Sequence, residues 1–127
     1  MEYMKHTSPW GHVFDTCILK DSYAMGGSLA LELYDTEEGE PQPYASITVN
    51  IPGYEHEENC AFVDVNNFPE SLNLISEYKL GEPTGLMGVS GFCTYPEYRF
   101  DMKEIDKYLL NPEPEKAEKP KIKDEAR

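Results

Sequence analysis

The chain has 127 residues, with 24 Asp plus Glu against 11 Lys plus Arg and a formal net charge of −13; 39% of it is hydrophobic and 12% aromatic. That length leaves room for one core rather than two, and the aromatic content is too high for a wholly disordered chain, so one compact acidic domain is expected. A surface this negative repels phosphate backbones, which argues against direct nucleic-acid binding and favours steering toward a basic protein surface.

At the start of the chain, MEYMKHTSPW has neither the apolar run nor the small-residue cleavage pattern of a signal peptide. Apolar stretches elsewhere are strand-sized and broken by charge, so a cytoplasmic protein without membrane contact is expected. Residues 13–20 (VFDTCILK) and 28–35 (SLALELYD) read as two strands joined through a turn at Gly26 and Gly27. In the second, Leu29, Leu31 and Leu33 alternate with Ala30, Glu32 and Tyr34, which points one leucine row inward. After the acidic turn 36–43, YASITVNI (44–51) returns with Ala45, Ile47, Val49 and Ile51 on one parity, completing a meander. A second acidic loop, 54–59, leads to a short strand over 60–65 (CAFVDV).

A helix is predicted from near Asn67, with Pro69 in its first turn and Leu72, Ile75 and Tyr78 as its apolar stripe. Its stop is Leu80-Gly81, with Gly81 in the left-handed position beyond the helix end and Pro83 following. The glycine-punctuated segment 81–91 reads as turns around an irregular strand, and FCTYPEYRF (92–100) as an aromatic strand. Asp101, with Glu104 three residues on, forms an acidic analogue of a capping box before a second helix carrying Met102, Ile105 and Leu109. The expected architecture is α+β: an antiparallel sheet of about five strands with two helices over residues 1–110. Residues 111–127, NPEPEKAEKPKIKDEAR, balance five acids with five bases and hold one large aliphatic residue, so a disordered mixed-charge tail is expected there. All the excess negative charge therefore belongs to residues 1–110, and between Asp21 and Tyr98 fourteen acids face one base, Lys79.

Few spacings suggest chemistry. Cys17, Cys60 and Cys93 form neither an even disulfide set nor a C-x-x-C zinc clip, so reduced thiols are expected. His56 and Cys60 are four apart without a second ligand pair, and a Cys-His nucleophile needs a cation that this acidic region lacks. Asp64, Glu97 and Asp101 are the carboxylates that could serve a metal-dependent enzyme, although no spacing among them is diagnostic. The glycine segment lacks the Lys-Ser/Thr ending of a phosphate loop. Asn66 and Asn67 suit helix capping. No cofactor or resident metal is expected.

The strings LALELYDTEEGEPQPYASITVN, ENCAFVDVNNFPE, EYKLGEPTG and SGFCTYPEYRFD, spanning about 28–101, resemble a domain-of-unknown-function family of small acidic proteins associated with conjugative elements and phages of gut Firmicutes. The resemblance carries no catalytic residue; it implies a mobile-element setting, where small acidic proteins include antirestriction and anti-CRISPR inhibitors that imitate nucleic-acid charge. The function expected is a non-enzymatic accessory protein whose acidic loops occupy a basic, nucleic-acid-binding surface on a defence protein. The partner-binding candidates are Glu37, Glu38 and Glu40 in the first loop, Glu55, Glu57 and Glu58 in the second, and Tyr95 and Tyr98 in the aromatic strand. The alternatives are an interaction module without inhibitory role, acting through Tyr95 and Tyr98, or a metal-dependent enzyme using Asp64, Glu97 and Asp101. A homodimer through an unprotected sheet edge stays open.

Overall fold

The computed structural model describes residues 2–24, 26–37 and 39–110; the expected tail over 111–127 lies outside them. Among the described residues, β1 (Met4–Thr7), β2 (Val13–Ser22), β3 (Leu29–Asp35) and β4 (Gln42–Ser46) form one antiparallel sheet in that order. β5 (Thr48–Val49), β6 (Cys60–Val63), β7 (Gly81–Ser90) and β8 (Cys93–Phe100) form a second antiparallel sheet in the order β5-β6-β8-β7. The helices α1 (Ser71–Tyr78) and α2 (Met102–Asp106) are short, so the domain is α+β but mostly β. The single five-stranded sheet expected from the pattern is thus two sheets of four.

The division comes at one residue. The predicted strand 44–51 keeps its alternation throughout, but β4 pairs with β3 while β5 pairs with β6. Ile47 joins them: its N–H donates to Leu31 O at 2.9 Å and its carbonyl accepts the Asp64 N–H at 2.9 Å. Ala45 and Ile47 therefore pack with the larger core, and Val49 and Ile51 with a smaller one. The larger core gathers Ile18, Leu31 and Leu33 from the first sheet, Ala61, Val63 and Phe100 from the second, Leu74 and Ile75 from α1 and Ile105 from α2. Phe62 and Tyr95 point the other way and form the smaller core with Ile51. All four residues of β6 are buried, because this central strand is covered on both faces.

Local signals explain several differences from expectation. α1 begins at Ser71, not near Asn67, since the preceding turn is organised by Asp64, whose carboxylate accepts from Asn67 N–H at 3.2 Å and from Asn67 Nδ2 at 3.2 Å. Asn66 and Asn67 therefore leave α1 uncapped; its N-cap position is Glu70, with no side-chain cap bond. At the other end Lys79, not Gly81, takes the left-handed conformation (φ 57°), and Leu80 N–H returns to Ile75 O at 2.9 Å. Gly81 is needed for a different reason: a Cβ there falls 2.7 Å from Arg99 O, so only glycine lets β7 start this close to β8. Asp101 does cap α2, accepting from Lys103 N–H at 3.0 Å. That helix is shorter than predicted, and Leu109 leaves it to form a parallel bridge with Ile18. Among the described residues no helix is long and apolar enough to cross a membrane.

Candidate protein-interaction surface

Residues 50–59 form a loop that folds over the outer face of the second sheet, and three side chains along it, Ile51, Tyr54 and His56, pack back against that sheet. Ile51 enters the smaller core. The Tyr54 ring stands edge-on to Phe62 at 5.0 Å, and its hydroxyl oxygen accepts the Val89 N–H at 3.0 Å. His56 also packs edge-on to Phe62, at 4.6 Å, with only 3% of its side chain exposed. It donates Nδ1–H to Glu97 Oε2 at 2.5 Å, while Thr84 Oγ1 donates to Glu97 Oε1 at 2.5 Å. A buried carboxylate with both oxygens hydrogen-bonded in this way ties the loop, β7 and β8 together.

Between these anchors Glu55, Glu57 and Glu58 are held in solvent. They line a cleft of about 560 Å³ shared with the β2–β3 turn, to which Asp21 adds a fourth carboxylate; among the described residues no lysine or arginine lines it. Two of the four are engaged nearby: Arg99 Nη2 donates to Glu57 Oε1 at 2.5 Å, and the Ser22 N–H donates to Asp21 Oδ1 at 2.8 Å. The Arg99 and Glu57 side chains are more than half exposed, so their pairing contributes about 0–1 kcal/mol and does not neutralise the cleft.

The first acidic loop is elsewhere. Glu37 and Glu40 are exposed at the β3–β4 connection, where Glu37 Oε1 lies 3.6 Å from His12 Nε2; Glu38 lies outside the described residues. The β3–β4 connection and the β2–β3 turn are at opposite ends of β3, a strand of 7 residues. At about 3.3 Å per residue they are roughly 20 Å apart, about two and a half times the Debye length at physiological salt. The five described glutamates therefore make two separate fields rather than one face.

The aromatic candidates also part. Tyr95 is buried at 7% exposure between Ile51 and Phe62, which corrects its assignment to a partner surface: its ring is core. Tyr98 is half-buried, packs on the larger core and lines a second cleft of about 810 Å³ beside α1. Phe92, at the β7–β8 turn, is the fully exposed aromatic of this strand region. Asp64, Glu97 and Asp101 are not brought together: the first holds a turn, the second anchors the acidic loop and the third caps α2. No group of three His, Cys, Asp or Glu side chains among the described residues is arranged to hold a metal ion. Cys17 and Cys60 are buried, and burial pushes both thiols up, away from the thiolate form; at Cys60, Glu97 and Glu57 push the same way against Arg99.

Fold and surface together define a small, mostly β α+β domain whose main polar feature is an acidic cleft. A family model matches residues 17–113, and the chain belongs to that family, described as Domain of unknown function (DUF4313). No curated protein matches the chain. No solved structure matches it either.

Proposed function

We propose that this protein is a non-enzymatic binding factor whose Glu55, Glu57 and Glu58 loop, with Asp21, occupies a basic surface on a partner protein. The observation that carries the proposal is the convergence of four carboxylates on one cleft, from a loop whose other side chains are anchored against Phe62 and Glu97. Carboxylates held at fixed positions replace the phosphates that a nucleic-acid-binding surface expects, and their field steers the partner's approach. In this proposal the protein acts in the cytoplasm as a mobile-element accessory, inhibiting a host defence protein of the CRISPR or restriction type. Glu37, Glu38 and Glu40 contribute a second, separate field, and Tyr98 a minor contact.

The test is an affinity pull-down from a lysate containing CRISPR nucleases and restriction enzymes, at low and high salt, with and without nuclease treatment. Capture of a nucleic-acid-binding protein, weakened by salt and competed by that protein's own nucleic acid, is expected. Charge reversal of Glu55, Glu57 and Glu58 should abolish capture, while reversal of Glu37 and Glu40 should weaken it less. Undiminished capture by the second-loop variant sinks the proposal.

A further inference from the structure

Residues 83–96 contain no Asp, Glu, Lys or Arg, although at the chain's average of 28% charged residues a stretch of this length would carry about four. This charge-free segment is the part of the β7–β8 hairpin nearest its turn, and β7 is an edge strand of the second sheet. Tyr95 enters the smaller core, but four apolar side chains stand outside it: Leu86, Met87 and Val89 are each about half exposed and Phe92 is fully exposed. Four large apolar side chains on one hairpin, including methionine and phenylalanine and without charge, have the composition of the centre of a binding interface rather than of ordinary surface.

We infer that this hairpin is the apolar anchor of the partner-binding surface, and that its occupant is a protein patch on which apolar side chains are flanked by lysine or arginine. The inference rests on the proposed binding of a basic partner and names what else that partner must carry. Its support is continuity: Tyr54, from the acidic loop, accepts the Val89 N–H of the hairpin, so the carboxylates and the apolar tip are neighbouring parts of one surface. A partner seated on Val89 and Phe92 meets Tyr54 and the adjoining Glu55 at its rim, while Glu57, hydrogen-bonded to Arg99 near the far end of β8, lies farther along the hairpin. The same charges oppose a second copy of this chain, whose own acidic loop would be brought to that rim, and they oppose an anionic lipid surface.

The experiment uses the full chain and two synthetic peptides of equal charge, one alternating arginine with leucine and phenylalanine, the other alternating arginine with serine, in fluorescence anisotropy at about 0.15 M salt. The wild type should bind the apolar peptide at least tenfold more tightly. Met87→Ser with Phe92→Ser should bring the two affinities within twofold while leaving binding of the serine peptide unchanged. Both positions are exposed, so the variant should keep its thermal midpoint; Phe92→Ser alone, with about half the effect, is the second variant. Equal binding of both peptides by the wild type, or a preference that survives in the double variant, overturns the inference and leaves the charge-based function standing. Failure of either peptide to bind in a salt-sensitive way overturns that function and the inference with it. Sedimentation of the wild type with phosphatidylcholine vesicles, or its self-association in sedimentation velocity, overturns the assigned occupant if the double variant abolishes it.

Discussion

Replacing Gly88 with alanine tests the stack on which the acidic loop rests. An ideal Cβ at Gly88 falls 2.5 Å from Phe62 Cζ and 2.8 Å from each of its Cε atoms, whereas relaxed carbon contacts lie at about 3.5–4.0 Å. The Phe62 ring is fully buried and held by Tyr54 and His56, so it can retreat only by lifting the loop that carries both. Overpacking of this kind costs about 1–3 kcal/mol, and the lower chain entropy of alanine in the unfolded state offsets about 0.4–1 kcal/mol. A net loss of about 1–2 kcal/mol follows, equivalent to roughly 5 °C in the thermal midpoint. Urea unfolding of Gly88→Ala, Phe62→Leu and the double variant measures it. The smaller leucine relieves the overlap, so the double variant should be at least about 1 kcal/mol more stable than the sum of the single losses. A neutral Gly88→Ala, or strict additivity, refutes the packing of ring on glycine.

His6 is enclosed by Phe14, Tyr44 and Phe68 with its Nε2 buried and without a partner among the described residues, and burial pushes its pKa below 6.5. Since the unfolded chain then takes up the proton first, His6 contributes stability above pH 6.5 that is lost as pH falls through 6.5 toward the lower folded value. His6→Phe should therefore lose stability more slowly than wild type in urea unfolding between about pH 7 and 5; parallel curves refute the assignment. Glu97→Ala strands His56 and Thr84 and should cost about 1–3 kcal/mol. It should also make the 54–59 loop the first target of a glutamyl endopeptidase, and an unchanged cleavage rate there rejects the anchor. Asp101→Ala should destabilise by about 1 kcal/mol through loss of the α2 cap, with Asp101→Asn costing less in the same thermal scan; equal losses count against capping.

The meander is legible in the sequence because its leucines obey period two: Leu31 and Leu33 are fully buried and Leu29 packs beside them. What the pattern cannot carry is the second sheet, since Ile47 and Ile51 share a parity yet enter different cores, and only the long-range pairing of β5 with β6 distinguishes them. β1 is four residues long, too short to establish a period, and β7 shows no apolar alternation because its one buried residue is Gly88. The glycines of 81–91 stand out as exceptions, but their causes are tertiary: Arg99 O faces Gly81 and the Phe62 ring faces Gly88. At the candidate site the acidic run 55–58 is plain in the sequence. Its convergence with Asp21, and the His56–Glu97 contact across 41 residues, require the fold. The charge-free stretch 83–96 escapes a reading by period or spacing, because its signal is one of composition: an absence of Asp, Glu, Lys and Arg in an otherwise charged chain.

Solubility and recognition make different demands on acidic side chains, and the proposed binding role places the stricter one on the 54–59 loop. For solubility, charge need only be exposed; a free loop would spread its carboxylates and lower their mutual repulsion. Here the spreading is opposed by Tyr54 on Val89 and by His56 on Glu97, so Glu55, Glu57 and Glu58 stay grouped beside Asp21. Holding like charges together costs energy, screened only in part at the separations within one cleft. The domain meets that cost with buried hydrogen bonds at His56 and Glu97 while leaving residues 83–96, at the end of the adjacent hairpin, without any charge. A surface divided into a fixed negative rim and a neutral apolar tip distinguishes partners by position as well as by sign, which bulk acidity cannot do.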